Sequence, residues 1–553
     1  MTLTTKAWYK SYPSDVPKEI NASEFDNLLS LFEHCCEKYS ENIAFINMGH
    51  SLTYQALDFK SKAFAAYCQN TLKMQPGERV ALMMPNLLQY PIALFGALRA
   101  GLVVVNVNPL YTPRELRLQL KDSGATAIVA VTNFANSLQQ VLNETAIKHI
   151  ILTSIGDQLA PYKRSLVNFV VKYVKKMVPK YYLPSAISMR RVLTQGASQN
   201  YLRPRVLPAD MAFLQYTGGT TGIAKGVVLT HQNIVANILQ VFAHFGPRTL
   251  LEREKAVTPL PLYHIFANTV SMMMLMFMGG ENLLITNPRE LKSFVKELRK
   301  YPFTMLFGLN TLFDSLLKNS DFRRLDFSQA RIIIAGGMAT RQHIAKEWEA
   351  LTGMTIIEGY GLTECSPVVA GGIHTQQTFT GNIGVPLPST EMRIADENNT
   401  PLAVGEIGEI QIKGPQVMSE YWQQPEETAN VFTADGFLKT GDIGKMDERG
   451  FFSLVDRKKD MILVSGFNVY PSEIEEIVVL HPKIIEAAAI GIPDDITGEK
   501  IKLYFVSSTP LTDKEIRSHC KKYLTGYKIP HLFERKDTLP KSNIGKILRN
   551  ALR

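Results

Sequence analysis

The stretch from Tyr216 to Gly226 combines residue types that bind phosphate. Its eleven residues, YTGGTTGIAKG, include four glycines, three threonines and one lysine. Glycine permits positive φ angles, which let successive backbone N–H groups converge on an anion. The stretch does not fit the Walker A pattern, because Lys225 follows Ala224 and precedes a glycine. The composition predicts an anion-binding loop of another kind, with a flexible turn as the alternative.

Alternating strand and helix patterns must position this loop. Residues 78–84 and 102–106 are predicted to be short buried strands, and residues 90–101 between them have helical spacing and a terminal glycine. Further along, residues 331–335 lead into Gly336-Gly337, and residues 354–358 lead into Gly359-Tyr360-Gly361. Strands that alternate with helices predict a parallel α/β sheet. Ligands bind at the carboxyl ends of such strands, where both glycine-bearing turns are expected.

The pattern changes from about Ile407 onwards. Short alternating strands are predicted at residues 409–413 and 450–455, followed by the charged run 456–460. A compact α+β unit is expected after that run, with a helix at 473–480 and a strand at 502–506. We therefore place a domain boundary at the charged run, with a solvated turn as the simpler alternative.

The bulk composition is typical of a globular enzyme. Hydrophobic residues make up 45% of the 553 residues, and the net charge is +9. This excess suits anionic small molecules or an anionic membrane surface, and it is too dilute to indicate nucleic acid. Five cysteines without a C-x-x-C pair favour reduced thiols and a cytoplasmic protein. The N-terminus lacks signal-peptide organisation, and the most apolar run, 269–278, is too short to span a bilayer.

The loop also resembles the signature loop of the adenylate-forming superfamily, which includes acyl-CoA synthetases, luciferases and adenylation domains. Five further segments resemble the other motifs of that family in the same order: PLPLYHIF at 259–266, EGYGLTE at 358–364, TGD at 440–442, DRKKD at 456–460 and LPKSNIGK at 539–546. Residues 435–444, together with 456–459, resemble the signature of the fatty acyl-CoA synthetases. Because other stretches also resemble the bacterial long-chain group, the resemblance covers essentially the whole chain.

This resemblance implies an α/β fold with two domains. The large domain, residues 1–458, would contain parallel α/β sheets and a small β-barrel-like part, and would bind ATP and fatty acid. The small, mobile α+β domain, residues 459–553, would carry the catalytic lysine and pivot near Lys459. The implied reaction converts a long-chain fatty acid and ATP into acyl-AMP and pyrophosphate, and then transfers the acyl group to CoA. ATP, Mg²⁺ and CoA are the implied cofactors and cosubstrate.

The resemblance also assigns roles to single residues. The phosphate loop would use Tyr216, Thr217, Gly218, Gly219, Thr220, Thr221, Gly222 and Lys225. The adenine slot would use Gly337, Glu358, Gly359 and Tyr360. Thr217 and Glu364 would bind Mg²⁺, Thr363 the α-phosphate and Asp442 the ribose, and Arg457 would assist at the ribose or a phosphate. Lys546 would stabilise the attacking carboxylate, Gly466 would leave room for pantetheine, and His264 would separate the acyl and CoA channels.

The substrate and the cellular location are less directly indicated. The methionine-rich run 272–278, with Phe266, Leu306, Phe307 and Phe313, offers apolar surface for an acyl chain, and ordinary core packing is the alternative. Residues 169–180 mix apolar and basic side chains at roughly helical spacing. That segment predicts either peripheral contact with the anionic cytoplasmic face of the inner membrane or a plain surface helix. Family members are often dimers, which leaves a homodimer as an open alternative.

Two rival functions compete with this interpretation. One is an adenylation enzyme that delivers acyl groups to a carrier protein or oxidises them, although no carrier domain is visible. The other is a silent fatty-acid-binding or uptake module, which would not need Glu364, Asp442 and Lys546 together. A plain P-loop ATPase is excluded by the failed Walker A pattern.

Overall fold

The strands and helices follow the alternation that the sequence predicts. The computed structural model describes residues 6–217, 224–246, 254–465, 467–494, 497–542 and 545–553. The strands among them are β1 Ile43–Asn47, β2 His50–Thr53, β3 Arg79–Met83, β4 Val103–Asn106, β5 Ala127–Val131, β6 His149–Thr153, β7 Ile187–Ser188, β8 Met211–Thr217, β9 Lys225–Thr230, β10 Lys255–Thr258, β11 Glu281–Leu284, β12 Met305–Gly308, β13 Ile332–Gly336, β14 Ile356–Gly361, β15 Val368–Gly371, β16 Val385–Pro386, β17 Glu391–Ala395, β18 Gly408–Lys413, β19 Glu420–Tyr421, β20 Leu438–Met446, β21 Phe452–Arg457, β22 Ile462–Val464, β23 Phe467–Val469, β24 Ile484–Asp494, β25 Gly498–Ser507 and β26 Leu532–Arg535.

The α-helices lie between these strands. They are α1 Leu28–Lys38, α2 Tyr54–Asn70, α3 Gln89–Arg99, α4 Pro113–Ser123, α5 Ala135–Gln139, α6 Pro161–Phe169, α7 Met189–Gly196, α8 His231–Phe245, α9 Leu275–Phe277, α10 Leu291–Lys300, α11 Asn310–Leu317, α12 Gln342–Thr352, α13 Pro425–Val431, α14 Pro471–Val479 and α15 Asp513–Cys520. Two π-helical segments are also present: Val170–Val174 directly follows α6, and Ala267–Met274 directly precedes α9. Among the described residues, none of the helices combines the length and apolar character that a bilayer crossing requires.

Backbone contacts divide the chain into two units. The first comprises residues 1–11, 391–413 and 431–553, and the second comprises residues 12–390 and 414–430. The second unit contains a nine-stranded sheet, β16-β15-β14-β13-β12-β10-β11-β1-β2, and an eight-stranded sheet, β19-β9-β8-β4-β3-β5-β6-β7. Strands β10 to β14 and β3 to β7 pair in parallel within these sheets, which confirms the predicted parallel α/β architecture.

The first unit contains two smaller sheets. One is the antiparallel sheet β17-β18-β20-β21, which occupies the region where a small β-barrel-like part was expected. The other has the order β23-β22-β25-β24, with β26 paired to β25, and packs against α14 and α15 around an apolar cluster that includes Ile474, Leu503 and Ile516. The boundary between residues 458 and 459 stays a prediction, because the contacts place residues on both sides of it in the same unit.

Three local predictions need correction. Gly359, Tyr360 and Gly361 are not a turn, because they continue β14 and pair with β15. A side chain at Gly361 would place its Cβ 2.1 Å from the carbonyl oxygen of Pro367, so glycine permits this close pairing. The charged run is not a solvated turn throughout, because Asp456 and Asp460 are buried. The helix predicted within 169–180 begins earlier, at Pro161, and its last helical turn ends at Val174.

The residues predicted to bind an acyl chain and the five cysteines lie largely in the core. The methionines of the run 272–278 are buried, as are Leu306, Phe307 and Phe313. Leu306 and Phe313 belong to a cluster that also contains Trp348. This placement is that of ordinary core packing, and a role in acyl binding stays a prediction. All five cysteines are free and buried, in agreement with the expected reduced thiols.

Candidate functional site

The antiparallel pair β8 and β9 brings the two ends of the phosphate loop together. Thr217, the last residue of β8, lies opposite Lys225, the first residue of β9. The predicted loop residues Gly218, Gly219, Thr220, Thr221 and Gly222 lie outside the described residues. The described ends therefore place one hydroxyl and one cation on facing strand positions, as an anion-binding loop requires.

Tyr216 precedes this pair, and its side chain is fixed by the protein. Its hydroxyl donates a short hydrogen bond to Asp122 on α4, and the residue is only 8% exposed. Burial, followed by this carboxylate, raises the pKa of Tyr216 well above its usual value. The tyrosine therefore links α4 to the strand that ends in the loop, and direct contact with a nucleotide stays a prediction.

Lys225 has two neighbours that the sequence did not reveal. Its ammonium forms an ion pair with Glu427 on α13. It also lies 5.0 Å from the ring centroid of Tyr421 on β19, which is within cation–π range. These contacts depend on the pairing of β19 with β9. Strand β19 has only two residues and lies far from β9 in the sequence, so no local spacing pattern predicts this pair.

Glu364 lies in a 3₁₀ turn, Thr363–Cys365, that follows β14. The hydroxyl of Tyr421 donates a hydrogen bond of 2.8 Å to Oε1 of Glu364. The backbone N–H of Met418 donates to the carbonyl of Glu364 at 2.7 Å. Tyr421 thus contacts both Glu364, the predicted metal ligand, and Lys225, the predicted phosphate ligand. Thr363 starts the same turn, next to Glu364.

The donor chemistry of this region fits a hard divalent cation. Glu364 offers a carboxylate and Thr217 a hydroxyl, and both are oxygen donors of the kind that Mg²⁺ prefers. Mg²⁺ characteristically takes the rest of its ligands from water and substrate phosphates. The two residues therefore fit the predicted magnesium site.

The predicted adenine residues lie on neighbouring strands. Gly337 follows β13 with a φ of +82°, a left-handed conformation that favours glycine. Glu358 and Gly359 on β14 are paired with Ala335 and Gly336 at the end of β13. Tyr360 follows on β14 and is buried. At Gly359 an added Cβ would find only a carbonyl oxygen 3.7 Å away, so the backbone has open space beside it.

Glu358 differs from an ordinary surface carboxylate. The backbone N–H of Thr340 donates to its Oε1 at 2.8 Å. Burial raises the pKa of Glu358 to about 7, although this hydrogen bond favours the ionised form. Glu358 can therefore act as a hydrogen-bond acceptor or donor near neutral pH, and its contact with adenine stays a prediction.

His264 follows the short turn after β10 and is neutral at physiological pH. Burial of the imidazole lowers the pKa of His264 to about 4, while part of the residue surface stays accessible. Its Nδ1 accepts the backbone N–H of Phe266 at 3.3 Å, which leaves the proton on Nε2. A neutral, oriented ring suits a wall between channels better than it suits an acid, and the wall role stays a prediction.

In the first unit, Asp442 and Arg457 face each other across β20 and β21. The Nε of Arg457 lies 2.9 Å from Oδ1 of Asp442, which is only 4% exposed. The hydroxyl of Thr440 accepts the backbone N–H of Asp442 at 3.0 Å, and Gly441 turns the strand with a φ of +71°. The predicted ribose carboxylate is therefore fixed by a cation and a bulged strand.

Lys546 lies close to that pair. Burial lowers the pKa of Lys546 to about 8, and the charge of Arg457 acts in the same direction. Asp442 opposes this shift, which shows that the carboxylate is near the ammonium. Lys459 is also near, and burial, followed by Arg457, lowers the pKa of Lys459 as well. The first unit thus gathers Asp442, Arg457, Lys459 and Lys546, whereas Gly466 lies outside the described residues.

Comparisons with known proteins support the same family along the whole chain. Residues 32–422 match the model of the AMP-binding enzymes, and residues 473–546 match the AMP-binding enzyme C-terminal domain. The chain is 55% identical over 549 residues to a long-chain-fatty-acid–CoA ligase of Yersinia pestis, covering 99% of this chain and 98% of that one. It is 34% identical over 551 residues to a long-chain-fatty-acid–CoA ligase of Bacillus subtilis, covering 99% and 97%.

Solved structures agree in fold. ATP-bound MatB from Rhodopseudomonas palustris superposes with a TM-score of 0.78 at 26% identity, covering 95% of this chain and 98% of that chain. The anthranilate CoA ligase AuaEII in complex with anthranoyl-AMP gives a TM-score of 0.83 at 21% identity, covering 97% and 98%. The second likeness shows the fold alone.

Proposed function

The chain belongs to the family of AMP-binding enzymes, and on that basis we propose that it is a long-chain fatty acid–CoA ligase. It joins a fatty acid to ATP with release of pyrophosphate, and then transfers the acyl group to CoA with release of AMP. The geometric observation that carries the proposal is the contact of Lys225 and Glu364 with one side chain, Tyr421. A cation and a magnesium-type carboxylate held together in this way suit a polyphosphate.

Charge explains why such residues are needed in the first half-reaction. A carboxylate and ATP are both anionic, so their approach requires neutralisation of charge on the phosphates. Lys225 neutralises the β- and γ-phosphates, which leave together as pyrophosphate. Glu364 and Thr217 would hold Mg²⁺, which would supply further neutralisation of phosphate charge. No Walker A geometry is needed, because the γ-phosphoryl group is never transferred.

The remaining residues orient the nucleotide and the acyl group. Asp442 accepts the ribose hydroxyls, since an ionised carboxylate offers several lone pairs. Gly337, Gly359 and Tyr360 line the adenine, and Thr363 donates to the α-phosphate. Lys546 stabilises the attacking carboxylate and the α-phosphate during adenylation only. A pivot at Lys459 then withdraws Lys546, so that one chain serves both half-reactions. A homodimer stays a prediction from resemblance.

We also propose that the chain contacts an anionic membrane through α6 and the π-helical turn that follows it. Tyr162, Leu166, Phe169 and Tyr173 are all exposed and follow one another at intervals of four, three and four residues. This spacing places them on one helix face. Exposed lysines of the same segment lie beside this face: Lys172, Lys175 and Lys176. An apolar stripe beside basic residues suits an interfacial helix, and free fatty acid partitions into the same surface.

The reaction is tested by resolving the two half-reactions for the wild type and Lys546→Ala. We expect pyrophosphate release from ATP and oleate, and AMP with oleoyl-CoA once CoA is added. Because Lys546 acts in the first step, the variant should lose adenylation by about 100-fold or more while still converting supplied oleoyl-AMP to the thioester. Product formation is measured by chromatography.

Lys536→Ala serves as the matched control, because this lysine is also near the C-terminus but pairs with Glu534 at the surface. It should leave both half-reactions unchanged. Release of ADP and phosphate, or AMP release that CoA does not affect, would contradict the ligase reaction. Cleavage of ATP with a short or aromatic acid but not with oleate would contradict the substrate class.

A further inference from the structure

The edge strand β19 is attached to the strand that begins at the phosphate loop. Tyr421 lies opposite Val227 in the antiparallel pairing of β19 with β9. The backbone N–H of Trp422 donates to the carbonyl of Gly226 at 2.7 Å. The backbone of Tyr421 is therefore fixed relative to Lys225, which starts β9 two residues before Val227.

The side chain of Tyr421 divides its contacts between two charged groups. Its hydroxyl donates to Oε1 of Glu364 at 2.8 Å, and its ring centroid lies 5.0 Å from Nζ of Lys225. Tyr421 itself is 6% exposed, whereas the side chain of Lys225 stays 24% exposed. Met418, three residues earlier, holds the carbonyl of Glu364 at 2.7 Å. One short segment thus fixes the backbone and the carboxylate of Glu364.

The hydroxyl is the part of Tyr421 that packing alone does not require. A phenylalanine would fill the same space at the sheet edge, whereas a buried phenol needs a hydrogen-bond partner. Here the partner is the carboxylate of Glu364, and only one of its two oxygens takes part in the contact. The contact therefore restrains the orientation of the carboxylate through one of its two oxygens.

We propose that Tyr421 is a positioning residue that aligns Glu364 and Lys225 with a single magnesium-bound polyphosphate. This inference rests on the proposed function and extends it to a residue that touches neither substrate nor metal. The hydroxyl sets the orientation of the Glu364 carboxylate by a charge-assisted hydrogen bond. The ring adds a cation–π contact to the ion pair with Glu427, so both groups position the Lys225 ammonium. Because the hydroxyl and the ring are separate parts of one side chain, they can be removed separately.

The test measures binding of inorganic pyrophosphate to the full chain by calorimetry, with Mg²⁺ and with EDTA. Tyr421→Phe keeps the ring and removes the hydroxyl, so we expect binding in EDTA to be unchanged. The strengthening that Mg²⁺ gives should fall by about 10- to 100-fold, which is typical when the partner of a metal ligand is removed. Tyr421→Leu also removes the ring, and should weaken binding in EDTA by about 2- to 30-fold.

Two controls separate positioning from a general loss of structure. Tyr12→Phe removes a partly buried hydroxyl that donates to the carbonyl of Pro386 at 2.6 Å, and should change neither binding constant. In a Glu364→Ala background, Tyr421→Phe should have no further effect on the Mg²⁺ dependence, because its partner is already gone. A folding defect would persist in that background, and thermal unfolding of each variant detects it directly.

The possible failures are distinguishable. If the wild type binds pyrophosphate more tightly with Mg²⁺ and Tyr421→Phe does so equally, the positioning role is wrong while the proposed function stands. A further loss from Tyr421→Phe in the Glu364→Ala background would likewise overturn the positioning role. If the wild type gains nothing from Mg²⁺, the proposed use of Glu364 fails, and this inference fails with it.

Discussion

At the residue scale, the proposed role of Lys546 requires a charged ammonium, although the buried position of this side chain disfavours the charge. Burial lowers its pKa to about 8, and Arg457 adds to that effect. The proposed role needs the ammonium form, so the free enzyme should lose adenylation as the pH rises through this value. Between about pH 8 and the ordinary value of 10.5, the unfolded chain binds more protons at Lys546 than the folded chain. The contribution of Lys546 to the free energy of unfolding therefore rises with pH in that window.

The pH dependence of kcat/KM for adenylation measures this property, because it reports the free enzyme. We expect a descending limb near pH 8, with about a tenfold loss per unit above it. Lys546→Arg should be slower but lack the limb, since arginine does not deprotonate in this range. Conversion of supplied oleoyl-AMP should show no such limb. The same limb in the arginine variant would assign it to another group.

At the element scale, the C-terminal segment is attached by Arg549. Its guanidinium binds both carboxylate oxygens of Glu475 on α14, at 2.9 and 2.7 Å. It also lies 3.1 Å from Asp460 and 3.7 Å from Asp456. Arg549 follows Lys546 by three residues, so this cluster fixes the segment that carries the proposed catalytic lysine.

Arg549→Met should therefore destabilise the chain strongly. It leaves three carboxylates without their shared cation, and loss of one partner of a buried pair costs about 3 kcal/mol. Arg549→Met with Glu475→Met should recover part of that loss, because one uncompensated acid is removed. Urea unfolding followed by circular dichroism gives both values. Arg449→Met, at an exposed pair with Asp447, is the control and should change little. A double variant less stable than the single one would contradict this account.

The sequence predicts elements better than it predicts their pairing. Apolar runs bounded by glycine indicated β3, β4 and β13 within one or two residues, because those strands are buried on both faces. Strand β19 was missed, since two residues carry no periodicity and its partner β9 lies far away in the chain. Tyr421 and Glu427 were missed for the same reason. Tyr421 on β19 and Glu427 on the following α13 reach Lys225 only in the folded chain, where β19 pairs with β9.

At the scale of the whole molecule, the net positive charge should matter most at the exposed apolar face of α6 and the following π-helical turn, where lysines lie beside apolar side chains. We expect the chain to bind phosphatidylglycerol vesicles and to ignore phosphatidylcholine vesicles. Reversal of Lys172, Lys175 and Lys176 to glutamate should weaken this binding by at least about 100-fold, since each lysine contributes about 1 kcal/mol near an anionic surface. Binding should also weaken at 1 M salt, where the Debye length is about 3 Å. Vesicle sedimentation measures both effects.

Reversal of Lys514, Lys521 and Lys522, which are exposed on and after α15, makes the same change in net charge elsewhere. It should reduce vesicle binding much less, and neither set should alter oleoyl-CoA synthesis in detergent micelles. Equal losses from both sets would show that net charge, and not this face, directs the protein to the membrane. A wild type that ignores phosphatidylglycerol at 0.15 M salt would remove the membrane proposal.

The first unit combines the segment that ends at Ser11 with residues 391–413 and 431–553, and this separation has a consequence for biosynthesis. Ser11 donates a hydrogen bond of 2.7 Å to the carbonyl of Arg449, 438 residues later. A ribosome that adds about 5 to 20 residues per second needs roughly 20 to 90 seconds to cover that interval. The N-terminal residues therefore emerge long before their partners exist. Until Arg449 has been synthesised they stay available to chaperones, and the first unit can close only after that point.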